Sequence, residues 1–256
     1  TGYGSDGRIW GGEFLLADFR RFRRLAHFQY VPLPGGETAI RRPYRMAVSH
    51  LLSALGEEAL ELRLPLWSML EPGELALVRR LMTTGVNSPL TSSCGRLFDA
   101  ISALAGVRGV VNYEGQAAIE LEMLAAEGVD DTYDWRLPSA EGRRTPMVID
   151  PAPLLRGVVT DLLAGVDVGV ISARFHNTIA AIVADVCRAA RQKTGVGRVA
   201  LSGGCFQNIY LLGRTIDALE REGFQVLIHH LVPANDGGIA LGQAVVANAR
   251  LSGKER

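Results

Sequence analysis

The sequence predicts an α/β protein whose helices alternate with a mostly parallel sheet, and three observations carry that reading. Its last third reads as strand, glycine turn, helix, strand, loop, helix. Its middle carries apolar residues at helical spacing, and its first forty residues read as strands. Hydrophobic residues make up 48% of the 256, enough to bury a sizeable core without disulfide or metal staples.

Residues 8–16 and 25–33 are rich in aromatic and aliphatic side chains and lie near glycine or proline turns, as strands do. Between them sit Arg20, Arg21, Arg23 and Arg24, read as a solvated strand edge that blocks edge-to-edge pairing. Pro32, Pro34 and Gly35-Gly36 mark a turn. From Pro43 the period becomes helical through Met46, Ala47, Leu51, Ala54 and Leu55. A second helix starts near Pro72 with Leu75, Val78 and Leu81, and a third follows Ser92-Ser93 through Leu97, Phe98, Ile101 and Leu104, where a hydroxyl can cap it. Residues 114–127 form a fourth, and residues 129–153, interrupted by Pro138, Pro146, Pro151 and Pro153, read as a surface excursion. A long helix over 168–193 precedes the strand 198–201, the helix 209–222, the strand 224–229 and the helix 238–250. The expected organisation is a β-rich segment at 1–40, a helical region at 41–165 and an α/β lobe at 166–256.

Lys plus Arg number 27 and Asp plus Glu 27, a balance that disfavours a nucleic-acid or anionic-membrane binder. No apolar run of membrane-spanning length is expected from the sequence, and no signal-peptide pattern opens it. Cys94, Cys187 and Cys205 are odd in number and widely spaced, so free thiols in a reducing compartment, the cytoplasm, are expected. The chain opens at Thr1 inside a glycine-rich phrase, which suggests a piece of something longer.

Chemistry concentrates in three glycine turns. In Leu201-Ser202-Gly203-Gly204-Cys205-Phe206-Gln207-Asn208, glycines between strand and helix let backbone approach a nucleotide, and the Gln207 and Asn208 amides could read a base or ribose edge. The same turn can exist only because it needs positive φ. Pro233-Ala234-Asn235-Asp236-Gly237-Gly238 sets Asp236 at a strand end, where capping is the commoner role and one carboxylate is too few to hold a metal. In Ser92-Ser93-Cys94-Gly95-Arg96-Leu97-Phe98-Asp99, Asp99 lies one turn from Gly95 and could accept ribose hydroxyls or stand exposed on an amphipathic helix. The opening Gly2-Tyr3-Gly4-Ser5-Asp6-Gly7 is no Walker A loop, because no Lys follows. His229-His230 point to opposite faces of a strand, and His27, His50 and His176 read as structural or solvated. Cys205 reads as a small buried hydrophobe, with no base identifiable by spacing.

Taken together, residues 1–14 (Thr-Gly-Tyr-Gly-x-Asp-Gly-x-Ile-Trp-Gly-Gly-Glu-Phe), 92–100, 112–118 (Asn-Tyr-Glu-Gly-Gln-Ala-Ala), 201–208 and 235–243 resemble, in order, the hydrogenase-maturation carbamoyltransferases of the HypF type. The resemblance covers nearly the whole chain. It implies the Kae1-like domain of such an enzyme, on the actin/sugar-kinase/heat-shock ATPase fold with RNase H-like lobes, its first lobe incomplete here. It implies carbamoyl transfer from carbamoyl-adenylate, made from carbamoyl phosphate and ATP by a YrdC-like domain of the full-length protein. The acceptor would be the C-terminal cysteine of a HypE-type partner, on the way to the cyanide ligands of nickel–iron hydrogenase. Gly95, Arg96, Asp99, Glu114 and Gly115 would line the ribose and adenine side of the pocket. Gly203, Gly204, Gln207 and Asn208 would face base and phosphates, and Asp236 would ligate a divalent metal (magnesium, iron or zinc). The family's paired metal-binding histidines and the Asp-Gly ahead of Thr1 are not in this sequence, so weak metal binding and impaired transfer by this chain alone are expected. Related chemistries on the same fold are O-carbamoyl transfer and threonylcarbamoyl transfer to RNA, the latter disfavoured by the neutral charge. A different class of reading is a non-catalytic nucleotide-binding or docking module.

Overall fold

The computed structural model describes residues 1–137 and 145–252. Strands β1 (Gly2–Tyr3), β2 (Ile9–Trp10), β3 (Glu13–Ala17), β4 (Phe22–Phe28) and β5 (Val31–Pro32) open the chain. Each of the two long strands expected here is broken in two. Gly11-Gly12 carries the chain from one sheet to another, and a Cβ at Gly12 would stand 2.5 Å from the Ser92 carbonyl oxygen, so only glycine passes there. The arginine cluster also divides. Arg20 and Arg21 are exposed, whereas the Arg24 side chain is 9% exposed and lies over the Trp10 ring at 4.1 Å. Neighbours in a strand face opposite ways, so Arg23 and Arg24 could not both be solvated.

A short helix not expected from the sequence, α1 (Glu37–Arg41), follows the turn at Gly35-Gly36. α2 (Pro43–Leu55) starts with proline at its first position and buries every residue from Pro43 to Leu51, so it lies inside the helical layer. Two 3-10 turns, Gly56–Glu61 and Pro65–Met69, lead to α3 (Glu74–Thr84), then to β6 (Leu90–Thr91), α4 (Cys94–Leu104) and α5 (Gln116–Met123). The excursion expected over 129–153 is partly ordered secondary structure: β7 (Met147–Ile149) joins a sheet, and α6 (Ala152–Leu163) uses Pro151 and Pro153 at its start rather than in a loop. Pro138 lies outside the described residues. α7 (Val168–Thr194), β8 (Arg198–Ala200), α8 (Ile209–Arg221), β9 (Gln225–Leu227) and α9 (Ile239–Ser252) complete the chain as expected, to within a few residues.

The sheets are mixed rather than mostly parallel. One has the order β1-β2-β6-β5 with only β2 and β6 parallel; a second, β3-β4-β7, pairs β4 and β7 in parallel with Ala26 opposite Met147. Parallel pairing holds throughout the last pair, β8-β9, where Val199 faces Val226 and α8 is the crossover. α7 divides the core. Ile171, Phe175, Ile179, Ile182 and Val186 pack with α2, α4 and α6, while Val183, Ala184 and Cys187 pack with Leu201, Leu219 and Phe224 beneath α8. By length and composition α7 could cross a membrane, against the sequence expectation; yet 78% of its most apolar window, of mean hydropathy 1.2, is buried inside the fold, as in a core helix.

Candidate functional site

The glycine phrases converge because backbone hydrogen bonds tie them together. The Ser92 amide donates to the Ile9 carbonyl at 3.0 Å, and that of Cys94 to the Gly11 carbonyl at 3.1 Å. Thr1 Oγ1 and Ser93 Oγ are 3.0 Å apart. Residues 1–14 therefore lie directly on the start of α4, whose N-cap is Ser93, its hydroxyl accepting from the Arg96 amide. Glu13 fixes this junction: its carboxylate accepts from the Gly11 and Gly12 amides at 2.5 and 2.8 Å, from Ser92 Oγ, and from Arg24 Nη2 at 2.8 Å. Asp6 closes the network from outside. It is somewhat desolvated, but donation from Tyr30, the Arg8 amide and Trp10 takes its carboxyl down to about 2.

Across from this wall stands the turn after β8. Gly203 has φ 103°, a conformation that favours glycine, and its amide donates to the Ala234 carbonyl at 2.8 Å, which joins the turn to the 233–238 loop. A Cβ added at Gly95 would stand 3.9 Å from Cys205 Sγ, so the α4 terminus and the 203–207 turn are in van der Waals reach. The Cys94 and Cys205 thiols influence each other's ionisation. Their interaction first, then burial, pushes Cys94 well up; Cys205 is held down by the same interaction, with help from Arg96 against its burial. Arg96 on one side and Glu13 on the other break the symmetry of the pair, making Cys205 the more acidic thiol.

Arg96 and Asp99 are 5% and 3% exposed and pair at 3.0 Å. Arg96 Nε and Nη1 lack hydrogen-bond partners among the described residues, and Asp99 Oδ2 has the ion pair with Arg96 Nη2 but no hydrogen bond of good geometry. Burial pushes the Asp99 carboxyl up to about 6 against the pull of Arg96, and the charge of Glu114 adds to the rise. Glu114 is exposed, and Gly115 begins α5 with φ 81°. Asp99 is thus neither a solvated helix-face residue nor fully satisfied by the fold.

The remaining predicted residues divide. Gly203, Gly204 and Gln207 are exposed on the turn. Asn208 is 8% exposed, and both ends of its amide are engaged: Oδ1 caps α8 by accepting from the Leu211 amide at 2.7 Å, and Nδ2 lies 2.9 Å from His176 Nε2. A base-reading role would require it to leave both. Asp236 is exposed and is not the cap expected of it; Asn235 takes that role, accepting from the Gly237 amide. No three His, Cys, Asp or Glu side chains converge among the described residues. The groups at hand therefore do not fit a metal by themselves. Glu13, Arg24 and His176 were missed as contributors; the adjacent strand arginines carried a signal for Arg24, whereas nothing in the local sequence separates His176 from an ordinary core histidine.

A family model described as carbamoyltransferase, Kae1-like domain, second subdomain, matches residues 1–243. The chain is 40% identical over 253 residues to carbamoyltransferase HypF of Rhodobacter capsulatus, covering 98% of this chain and 31% of that protein. To the same enzyme of Synechocystis sp. it is 36% identical over 256 residues, covering 95% and 32%. A crystal structure of full-length HypF in its phosphate- and nucleotide-bound form superposes with a TM-score of 0.90 at 42% identity, covering 98% of this chain and 32% of that one. That of HypF from T. kodakarensis gives 0.81 at 29% identity, covering 98% and 33%. The chain thus spans about a third of the length of these relatives. The Kae1-like α/β fold implied by the motifs is the fold observed, and the chain belongs to the Kae1-like domain family of carbamoyltransferases, as its second subdomain.

Proposed function

We propose that this chain forms the nucleotide-holding wall of a carbamoyltransferase that passes a carbamoyl group from carbamoyl-adenylate to the C-terminal cysteine of a HypE-type partner, in the cytoplasm, during hydrogenase maturation. The observation that carries the reading is Arg96, a buried guanidinium with two nitrogens lacking partners, beside the half-satisfied Asp99 at the mouth of a glycine turn. Such groups cost free energy in a folded chain unless a ligand completes them. A nucleotide-bound relative of the same fold supports the choice of ligand.

In transfer, the partner's thiol sulfur bonds to the carbamoyl carbon while the bond from that carbon to the adenylate phosphate oxygen breaks. The products are a thiocarbamate and AMP, and the thiol proton is released. Arg96 would stay on the ribose side, its open Nε and Nη1 donating to the nucleotide there. Asp99 and Glu114 would accept ribose hydroxyls, and the exposed Gly203-Gly204 turn would admit the phosphates to close backbone approach. The metal named with the family requires ligands beyond these residues, so no step is derived through it. The balanced surface charge favours a protein acceptor over RNA.

Calorimetric titration of ATP with magnesium tests the reading. Asp99→Ala and Arg96→Gln should each weaken binding by about 1.5–3 kcal/mol, a charge-assisted hydrogen bond, and Asp236→Ala should change little. Binding indifferent to both Asp99→Ala and Arg96→Gln, or no binding at all, would refute it.

A further inference from the structure

His176, in the N-terminal half of α7, is fully buried and packs against both α4 and α8. Its ring packs edge-on against Phe98 at 5.2 Å, and Phe98 sits on α4 between Arg96 and Asp99. On the other side Tyr210 of α8 lies at 5.3 Å, and Phe175 at 5.8 Å flanks the ring from within α7. The polar contacts run in one direction. Nδ1 is 2.7 Å from the Ser172 carbonyl, which can only accept, so Nδ1 carries the proton. Nε2 is then a bare acceptor, and the Asn208 amide donates to it at 2.9 Å. This fixes which way the amide points: its oxygen must face α8, where it accepts from Leu211. Asn208 ends the 203–207 turn, its own amide donating to the Cys205 carbonyl at 3.3 Å.

We propose that His176 is the positioning residue that sets the two walls of the nucleotide cleft in register, holding the Gly203–Gln207 turn through Asn208 and the Arg96–Asp99 segment through Phe98. The inference rests on the nucleotide reading above for its consequence, though not for the relay itself. Reversing the Asn208 amide would set an oxygen against a lone pair and an NH2 against the Leu211 N–H, so the relay has one stable orientation. Burial, set against the Ser172 hydrogen bond, keeps the ring neutral, as a bare acceptor requires.

Three variants of this chain test the proposal. His176→Phe keeps the ring packing and removes both hydrogen bonds. His176→Gln retains a donor and an acceptor. Asn208→Asp keeps the α8 cap and replaces the donor facing His176 with an acceptor. In the wild type, 15N shifts of the His176 ring should report the neutral Nδ1–H tautomer; in Asn208→Asp they should move to imidazolium. Amide exchange over residues 204–211 should accelerate at least tenfold in His176→Phe with the remaining core unchanged, and His176→Gln should restore most of the protection. ATP affinity should fall at least tenfold in His176→Phe and within threefold in His176→Gln. A wild-type Nε2–H tautomer, or exchange at 204–211 unchanged in His176→Phe, overturns the relay. Faster exchange with unchanged ATP affinity overturns its link to the ligand. If wild type binds no ATP while exchange and ring shifts behave as expected, the nucleotide reading falls and the relay stands.

Discussion

Acid should destabilise this protein in a pH range where most proteins are near their optimum, because His27, His50 and His176 are all buried and burial lowers each of them; His50 and His176, the most strongly lowered, set the magnitude. His50 is 4% exposed with both ring nitrogens unpartnered among the described residues, and His176 is 0% exposed. Burial lowers both from 6.5 to about 4, against a raising hydrogen bond from Ser172 for His176. The folded values are depressed, so on acidification the unfolded chain takes up protons first; stability is full above 6.5 and is lost as pH falls toward 4. Between pH 7 and 5 His50 and His176 each remove about 2 kcal/mol, and His27 adds to the loss in the same direction. Asp99 acts with the opposite sign. Its carboxyl is raised from 3.8 to about 6, so the folded state binds the proton first and gains about 1 kcal/mol by pH 5. The net loss is about 2–3 kcal/mol, a fall of roughly 1 M in the urea midpoint for a slope of about 3 kcal/mol/M. The lowered carboxylates, such as Asp6 and Glu74, act chiefly below pH 5, since their ordinary values are 3.8 and 4.5. Urea titrations followed by tryptophan fluorescence at pH 7 and 5 measure the loss. Asp99→Asn should deepen it by about 1 kcal/mol, and His50→Leu or His176→Gln should each shrink it by about 2 kcal/mol. A midpoint that does not move with pH, or a pH dependence unchanged in both histidine variants, would refute the reasoning.

Three other outcomes follow from the same geometry. Gly12→Ala drives a Cβ to 2.5 Å from the Ser92 carbonyl oxygen and 2.8 Å from the Phe28 ring, so it should cost about 2–3 kcal/mol and lower Tm in a calorimetric scan. Gly7→Ala, in open space at φ 73°, should cost only about 1 kcal/mol. Arg24→Met strands the Glu13 carboxylate, whose side chain is 7% exposed, and should cost about 3–5 kcal/mol. Adding Glu13→Gln should then cost less than the sum of the two single changes in a urea-denaturation cycle. Iodoacetamide with peptide mass mapping should label Cys205 before Cys94 and Cys187, both raised by their surroundings, and Arg96→Gln should slow that labelling.

Local pattern made the long elements readable. α2, α4, α7 and α8 announced themselves through apolar spacing, α4 also through its capping Ser93. The short strands could not be read that way. β2 and β3 form one apolar run in the sequence, and only the crowding of Gly11 and Gly12 against Ser93 and Ser92 reveals that the chain changes sheets between them. α6 was hidden because Pro151 and Pro153 read as loop residues, although proline suits a first turn. For the site, the glycine turns were legible as motifs because close backbone approach leaves a compositional mark. The burial of Asp99, the engagement of Asn208 and the sheltering of Arg24 are tertiary facts that depend on partners 32 residues away for Asn208 and 68 for Arg24.

The division of labour within the cleft follows from that same contrast. The rim of the proposed site is main chain and glycine at the exposed Gly203 and Gly204, where side chains would hold a phosphate away, while Gly11 and Gly95 pack against Ser93 and Cys205. The site's floor is charged and dry, with Arg96 and Asp99 each less than 6% exposed. A guanidinium so placed must be held from behind, since the pair alone leaves two of its nitrogens open and would relax toward any nearby carbonyl. The packing supplies that support: Phe98, between the two charges, is clamped by Phe175 at 4.7 Å and by His176 at 5.2 Å, so Arg96 and Asp99 are tied to the buried N-terminal half of α7 rather than to a loop. The cost of open valences is thus carried by the core, as the proposed binding of a ligand to these groups requires.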